Sequence, residues 1–107
     1  GDKISVIIPE QSKYPIEASK IYTTLEDNQT MISFEVYEGN IVDDVYDKKN
    51  HWLGKLDLSG IEMKEAGEPQ IKVTFSLNQE GILKITALDL SNNHQVDTEL
   101  NWQELKY

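Results

Sequence analysis

The 107-residue chain contains no cysteine. Disulfides, thiolate zinc sites and cysteine nucleophiles are therefore excluded, and cysteine usage gives no sign of redox compartment. Arginine is also absent: the ten cationic side chains are all lysines, against nineteen carboxylates, for a net charge of −9. The bidentate guanidinium fork that reads phosphates and guanines is thus missing. An acidic surface repels phosphate backbones, so nucleic acid is not an expected partner. No apolar run approaches the roughly 18 residues that a membrane-crossing helix needs, so no membrane partner is expected either. The start, Gly1-Asp2-Lys3-Ile4-Ser5, lacks the basic flank and apolar stretch of a secretory signal. What is present is ordinary for a globular domain: 38% hydrophobic and 27% charged residues, enough for one core.

The dominant pattern is period two, the signature of half-buried strands. Ile71-Lys72-Val73-Thr74-Phe75-Ser76-Leu77 alternates throughout. Asn78-Gln79-Glu80-Gly81 supplies a turn, and Leu83, Ile85 and Ala87 resume the alternation, which predicts a hairpin. A second hairpin is predicted from a strand over Ser19–Thr24, a turn at Glu26-Asp27-Asn28-Gln29, and a strand carrying Ile32, Phe34 and Val36. Further strands are expected at Ile4–Ile8, Leu53–Leu58 and Gln95–Leu100, with Ser91-Asn92-Asn93 turning the chain into the last. Loops are expected from about Gly39 to Asn50 and from Ile61 to Pro69. The predicted fold class is all-β, an antiparallel β-sandwich of about seven short strands, with residues 1–107 as a single domain.

Little in the chain announces catalysis. His51 and His94 have no His or Cys at ligand spacing and read as loop histidines. Asp43, Asp44 and Asp47 lack the Asp-x-Asp-x-Asp-Gly calcium pattern and read as a solvated acidic loop. Asn28-Gln29-Thr30 has the form of a glycosylation sequon, a triplet common by chance. No Gly-rich phosphate loop is present. No metal, catalytic residue or cofactor is expected in this chain. What remains is the sheet, which can bind an extended peptide through main-chain hydrogen bonds and side-chain pockets.

Several segments resemble the substrate-binding β-domain of the 70-kDa heat-shock (DnaK-type) chaperones. Ser19-Lys20-Ile21-Tyr22-Thr23-Thr24-Leu25-Glu26-Asp27-Asn28-Gln29-Thr30 and then Val36-Tyr37-Glu38-Gly39 are similar to the family's S-Q-x-F-S-T-A-x-D-N-Q-T and V-x-Q-G-E. Leu53-Gly54-Lys55-Leu56-Asp57-Leu58-Ser59-Gly60-Ile61 is similar to L-G-x-F-x-L-x-G-I. Gly67-Glu68-Pro69-Gln70-Ile71-Lys72-Val73-Thr74-Phe75 resembles G-x-P-Q-I-E-V-T-F, and Gly81-Ile82-Leu83-Lys84-Ile85-Thr86-Ala87 resembles D-G-I-L-x-V-x-A. The blocks occur in family order and cover nearly the whole chain.

The resemblance implies a chaperone domain that binds short extended hydrophobic segments of unfolded polypeptides. In the parent protein a separate N-terminal ATPase domain would use ATP and magnesium, and J-domain co-chaperones would act through that parent. It implies a cytoplasmic setting and no enzyme activity in this chain. The family's pocket Phe falls on Tyr22, its pocket aliphatics on Ile32, Phe34 and Ile71, and its backbone-contacting positions on Thr23, Leu25 and Gln29. Asp27 falls on an acidic position that faces the family's helical lid. On alternation alone, Ile32, Phe34 and Ile71 would be core.

The family's opening strands, around D-V-x-P-x-S-L-G-I, and its helical lid have no counterpart here, so the chain is expected to be a piece of a longer chaperone. An unpaired sheet edge and self-association through it follow as expectations. The loop 39–52 is longer than usual, Ala66 stands where the family has a lid-latching Arg, and Phe34 is larger than the family's aliphatic. The alternative is a divergent regulatory or co-chaperone relative whose sandwich is an interaction surface without peptide binding. A more distant one is an unrelated sandwich of adhesion or carbohydrate-binding type.

Overall fold

The computed structural model describes residues 3–9, 16–39 and 51–101. Seven strands follow in order: β1 (Lys3–Pro9), β2 (Ile16–Tyr22), β3 (Ile32–Gly39), β4 (His51–Leu58), β5 (Ile71–Leu77), β6 (Ile82–Asp89) and β7 (Gln95–Asn101). They form two sheets, one ordered β1-β3-β4 and the other β2-β5-β6-β7. The inward alternate residues of both sheets interdigitate as one core, with Ile8, Ile32, Phe34, Val36, Leu58 and Ile71 among its fully covered members. This is the all-β sandwich that period two predicts.

The β5–β6 hairpin is the one predicted. Asn78 caps it, accepting from the backbone N–H of Glu80 and Ile82, and Gly81 takes φ 80°. The β6–β7 turn runs through Ser91-Asn92-Asn93, with Asn93 at φ 58° and the Asp89 carboxylate accepting from Ser91 N–H.

The hairpin predicted over 19–37 does not form. β2 pairs antiparallel with β5, while β3 pairs with β1 and β4, so residues 23–31 carry the chain from one sheet to the other. A stretch of that length is free to cross the core, whereas a two-residue turn would have forced adjacent pairing. A second departure is that the β1–β3 ladder is parallel, Val6 opposite Val36, in an otherwise antiparallel architecture.

A bulge sits where β4 meets β3. Val36 pairs with Gly54 and Tyr37 with Trp52, leaving Leu53 as the extra residue. Leu53 and Gly54 are both buried as a result. A Cβ built on Gly54 would lie 3.4 Å from a methyl of Leu100 on β7, so the sandwich is closed along its β4–β7 flank.

His51 begins β4 rather than lying in a loop, and His94 is exposed in the β6–β7 turn. Asp43, Asp44 and Asp47 lie outside the described residues. Among the described residues no cluster of His, Asp and Glu has the arrangement of a metal site, and no helix is long and apolar enough to cross a membrane.

Candidate functional site

Two loops meet at the end of the sandwich where β2 finishes and β5 begins. Residues 23–31 fold on themselves first. The Gln29 side-chain oxygen accepts from the backbone N–H of Leu25 (3.0 Å) and Glu26 (3.1 Å), and its amide donates to Met31 O (2.8 Å). Asn28 takes φ 60°, a left-handed conformation that Asn tolerates better than most residues.

This loop is then laced to residues 59–70. Asn28 N–H donates to Lys64 O (2.8 Å), Ile61 N–H to Thr30 O (3.1 Å) and Gly67 N–H to Thr24 O (3.2 Å). The Asp27 carboxylate accepts from Ala66 N–H (2.9 Å), and the Thr23 hydroxyl donates to Pro69 O (2.6 Å). Polar groups of both loops thus satisfy one another and leave the apolar side chains free to face outward.

Between these loops and the start of β1 lies a cavity of about 570 Å³. Its apolar lining comes from Ile4, Ile21, Tyr22 and Leu25. Lys3, Thr23, Gly67 and Gln70 supply the polar rim. Leu25 is 57% exposed and Ile21 48%, a costly display of apolar surface for a small domain unless something covers it. The size is that of an ordinary ligand cleft. Tyr22 is half-buried, with its ring edge-on to Phe34 at 5.6 Å and the Lys20 ammonium 5.3 Å from its ring centroid. Burial disfavours the phenolate and raises the Tyr22 pKa above its ordinary value.

Of the residues singled out in the sequence, Tyr22, Thr23 and Leu25 line the cavity together. Gln29 does not line it; it holds the loop that presents Leu25. Asp27 binds the neighbouring loop through Ala66 N–H. Ile32, Phe34 and Ile71 have no exposed surface and sit in the inter-sheet core beneath the cavity rather than on its lining. The reason is position. β3 is the central strand of its sheet, and Tyr22 lies against Phe34 on the cavity side.

Sequence reasoning missed Lys3, Ile4, Ile21, Gly67 and Gln70. One signal was available: Ile21 directly precedes Tyr22 in β2, so strict alternation puts this apolar side chain on the face opposite to Tyr22's.

Fold and cavity together define a class: an all-β sandwich with an apolar cleft at its loop end. Residues 1–105 match the family model described as Hsp70 protein. A ribosome-associated molecular chaperone of Saccharomyces cerevisiae is 38% identical over 91 residues, 85% of this chain and 14% of that protein. Chaperone protein DnaK of Thermotoga petrophila is 38% identical over 95 residues, 89% of this chain and 15% of that protein. A ribosome-associated molecular chaperone of Nakaseomyces delphensis is 35% identical over 101 residues, 94% of this chain and 16% of that protein. The chain belongs to the Hsp70 family. It spans only 14–16% of the length of these curated relatives.

Proposed function

We propose that this chain is the polypeptide-binding module of a molecular chaperone, and that the cleft at Tyr22 and Leu25 takes short extended apolar segments of unfolded chains. The observation that carries this reading is the cleft itself: apolar side chains from β1, β2 and the 23–31 loop, held outward by a loop whose own polar groups are satisfied. The relatives are named as chaperones, which supports it. ATP hydrolysis and its control by J-domain proteins belong, on this reading, to other parts of a longer protein, and no catalytic step is assigned to these residues.

The physics suits weak, reversible capture. One Leu-like side chain transferred from water into the cleft contributes roughly 1.5–3 kcal/mol. The test is fluorescence anisotropy of a labelled Leu-rich heptapeptide titrated with the chain. Saturable binding with Kd down to the micromolar range or as weak as about 1 mM, near −4 kcal/mol, is expected. Absence of binding at that limit overturns the proposal and favours a sandwich used as an interaction surface.

A further inference from the structure

On the side of β3 and β4 that faces away from the core, side chains pair in rows: Ser33 with Asp57, Glu35 with Lys55, and Tyr37 with Trp52. Trp52 leaves 52% of its surface exposed. The indole is nonetheless fixed, since its N–H donates to a Glu35 carboxylate oxygen at 2.8 Å. Residues directly opposite across an antiparallel pair are neighbours, so Tyr37 stands beside the ring. A cavity of about 400 Å³ lies over this face, lined by Glu35, Tyr37, Trp52 and Lys55, with Lys3 and Ser5 of β1 at its side. It is remote from the cleft. Ile32 begins β3 beside the 23–31 loop, and Tyr37 lies five residues on, roughly 17 Å along the strand at about 3.4 Å per residue.

The charges here do not pair as the ladder would place them. Lys55 stands opposite Glu35, yet its ammonium lies 3.7 Å from the Asp57 carboxylate. Lys3 pairs with Ser33, four positions along β3 from Tyr37. Among the described residues no lysine makes an ion pair with Glu35. Its Oε2 holds the indole, and Oε1 remains as an acceptor beside the exposed ring.

An aromatic face next to a carboxylate is a cation site: the ring quadrupole attracts a cation over its face, and the carboxylate neutralises it. A guanidinium fits best, because it is planar, weakly hydrated, stacks on an indole and carries donors at its edge for the carboxylate. The net charge of −9 draws cationic partners from a distance and keeps copies of the chain apart. The chain contains no arginine, so neither its own residues nor a second copy can supply a guanidinium.

We infer that the Trp52–Glu35 face is a docking site for an arginine side chain of a separate, basic polypeptide, with the guanidinium stacked on the indole and donating to Glu35. Trp52 supplies the face, Tyr37 flanks it, and Glu35 both fixes the ring and pairs with the cation. The site is independent of what the cleft holds.

The test follows the indole N–H resonances of the full 107-residue chain during titration with three blocked heptapeptides of Gly and Ser, carrying Arg, Lys or citrulline at the centre. None has an apolar anchor for the cleft. Trp52→Leu assigns the resonance, since only Trp102 then remains. The Arg peptide is expected to shift the Trp52 resonance saturably, with Kd on the order of 1–10 mM. The Lys peptide should bind about threefold more weakly, and the citrulline peptide, which keeps the shape and loses the charge, should not bind measurably. Followed at the Glu35 amide, Trp52→Leu should weaken Arg binding about two- to fivefold. Glu35→Gln keeps an oxygen for the indole N–H and removes the charge, and should weaken it by at least about as much. Neither position is buried, so both variants should unfold near wild type. If the Arg and Lys peptides bind equally, or Arg binding survives Trp52→Leu undiminished, the attraction is that of an acidic chain for any cation and the inference is overturned. Shifts at Ile21 and Leu25 in place of Glu35 and Trp52 move the peptide to the cleft and also overturn it. So does the absence of any shift at about 20 mM peptide.

Discussion

Tyr22 and Phe34 meet edge to face, with ring centroids 5.6 Å apart and planes inclined by 63°. The contact joins the last residue of β2 to the first half of β3, and so ties the wall of the cleft to the fully buried core beneath it. Edge-to-face pairs of this kind contribute about 0.5–1.5 kcal/mol beyond the area they bury.

Phe34→Ala should therefore act first on stability. Its side chain is fully covered, so truncation is expected to cost about 3–5 kcal/mol in denaturant unfolding. Phe34→Leu nearly keeps the volume and should cost less than about 1.5 kcal/mol. If Phe34→Ala is nearly neutral in stability but abolishes peptide binding, the residue lines an open groove after all.

The same burial gives Tyr22 a pH signature. Its pKa is raised in the folded state by desolvation, so the folded protein holds the phenolic proton more tightly than the unfolded chain does. The associated stability is complete below the unfolded value near pH 10 and is lost as pH rises from there through the folded value. Chemical unfolding of wild type and Tyr22→Phe at a series of pH values from neutral to alkaline isolates the effect. The difference between them should be flat below about pH 9 and should move against wild type above it. A difference that is constant across the range would mean that Tyr22 titrates as an ordinary exposed tyrosine.

Glycine substitutions should separate strain from crowding. Gly67, on the rim of the cleft, has φ 90° and open space around a would-be Cβ, so Gly67→Ala meets no atom but forces a side chain into left-handed backbone. A loss of about 1–2 kcal/mol is expected from the conformation alone. Gly54→Ala carries no such strain and places its methyl at ordinary contact distance from Leu100, so it should be tolerated with a much smaller change. Equal losses at the two sites would refute the distinction.

These residues also show how far the sequence could be read. Alternation in Ile71–Leu77, with Gly81 placed to take positive φ, identified β5, β6 and their turn because both signals are local. The partner of β2 was not legible. The turn-like run Glu26-Asp27-Asn28-Gln29 looks the same whether the chain doubles back or crosses to the other sheet, and only the lacing to residues 59–70 decides. Period two put Phe34 on the inner face but could not say whether that stretch of face lay under Tyr22 or open to a ligand. The resemblance located Tyr22, Thr23 and Leu25 on the cleft, yet it could not reveal that Ile4 of β1 and Gln70 before β5 complete the lining, since those contacts are made by distant segments.

Gln29 offers the sharpest separation between building the cleft and filling it. Its side-chain oxygen holds the N–H groups of Leu25 and Glu26, and its amide holds Met31 O, but the side chain itself does not line the cavity. Gln29→Ala removes all of these contacts in an exposed loop where water can replace them, so unfolding should register only about 0.5–1.5 kcal/mol. The local consequence is larger. Leu25 is presented by this loop, and loosening it adds an ordering cost to every binding event. Peptide affinity should fall severalfold, mainly through a faster off-rate. Amide exchange at Leu25 and Glu26 should accelerate while the strands keep their protection. Gln29→Glu keeps the acceptor oxygens and loses the donor to Met31 O, so it should recover the slow exchange of Leu25 and Glu26 and part of the affinity. If Gln29→Ala weakens binding without changing the Leu25 and Glu26 amides, Gln29 touches the peptide directly and its role as the scaffold of the loop is wrong.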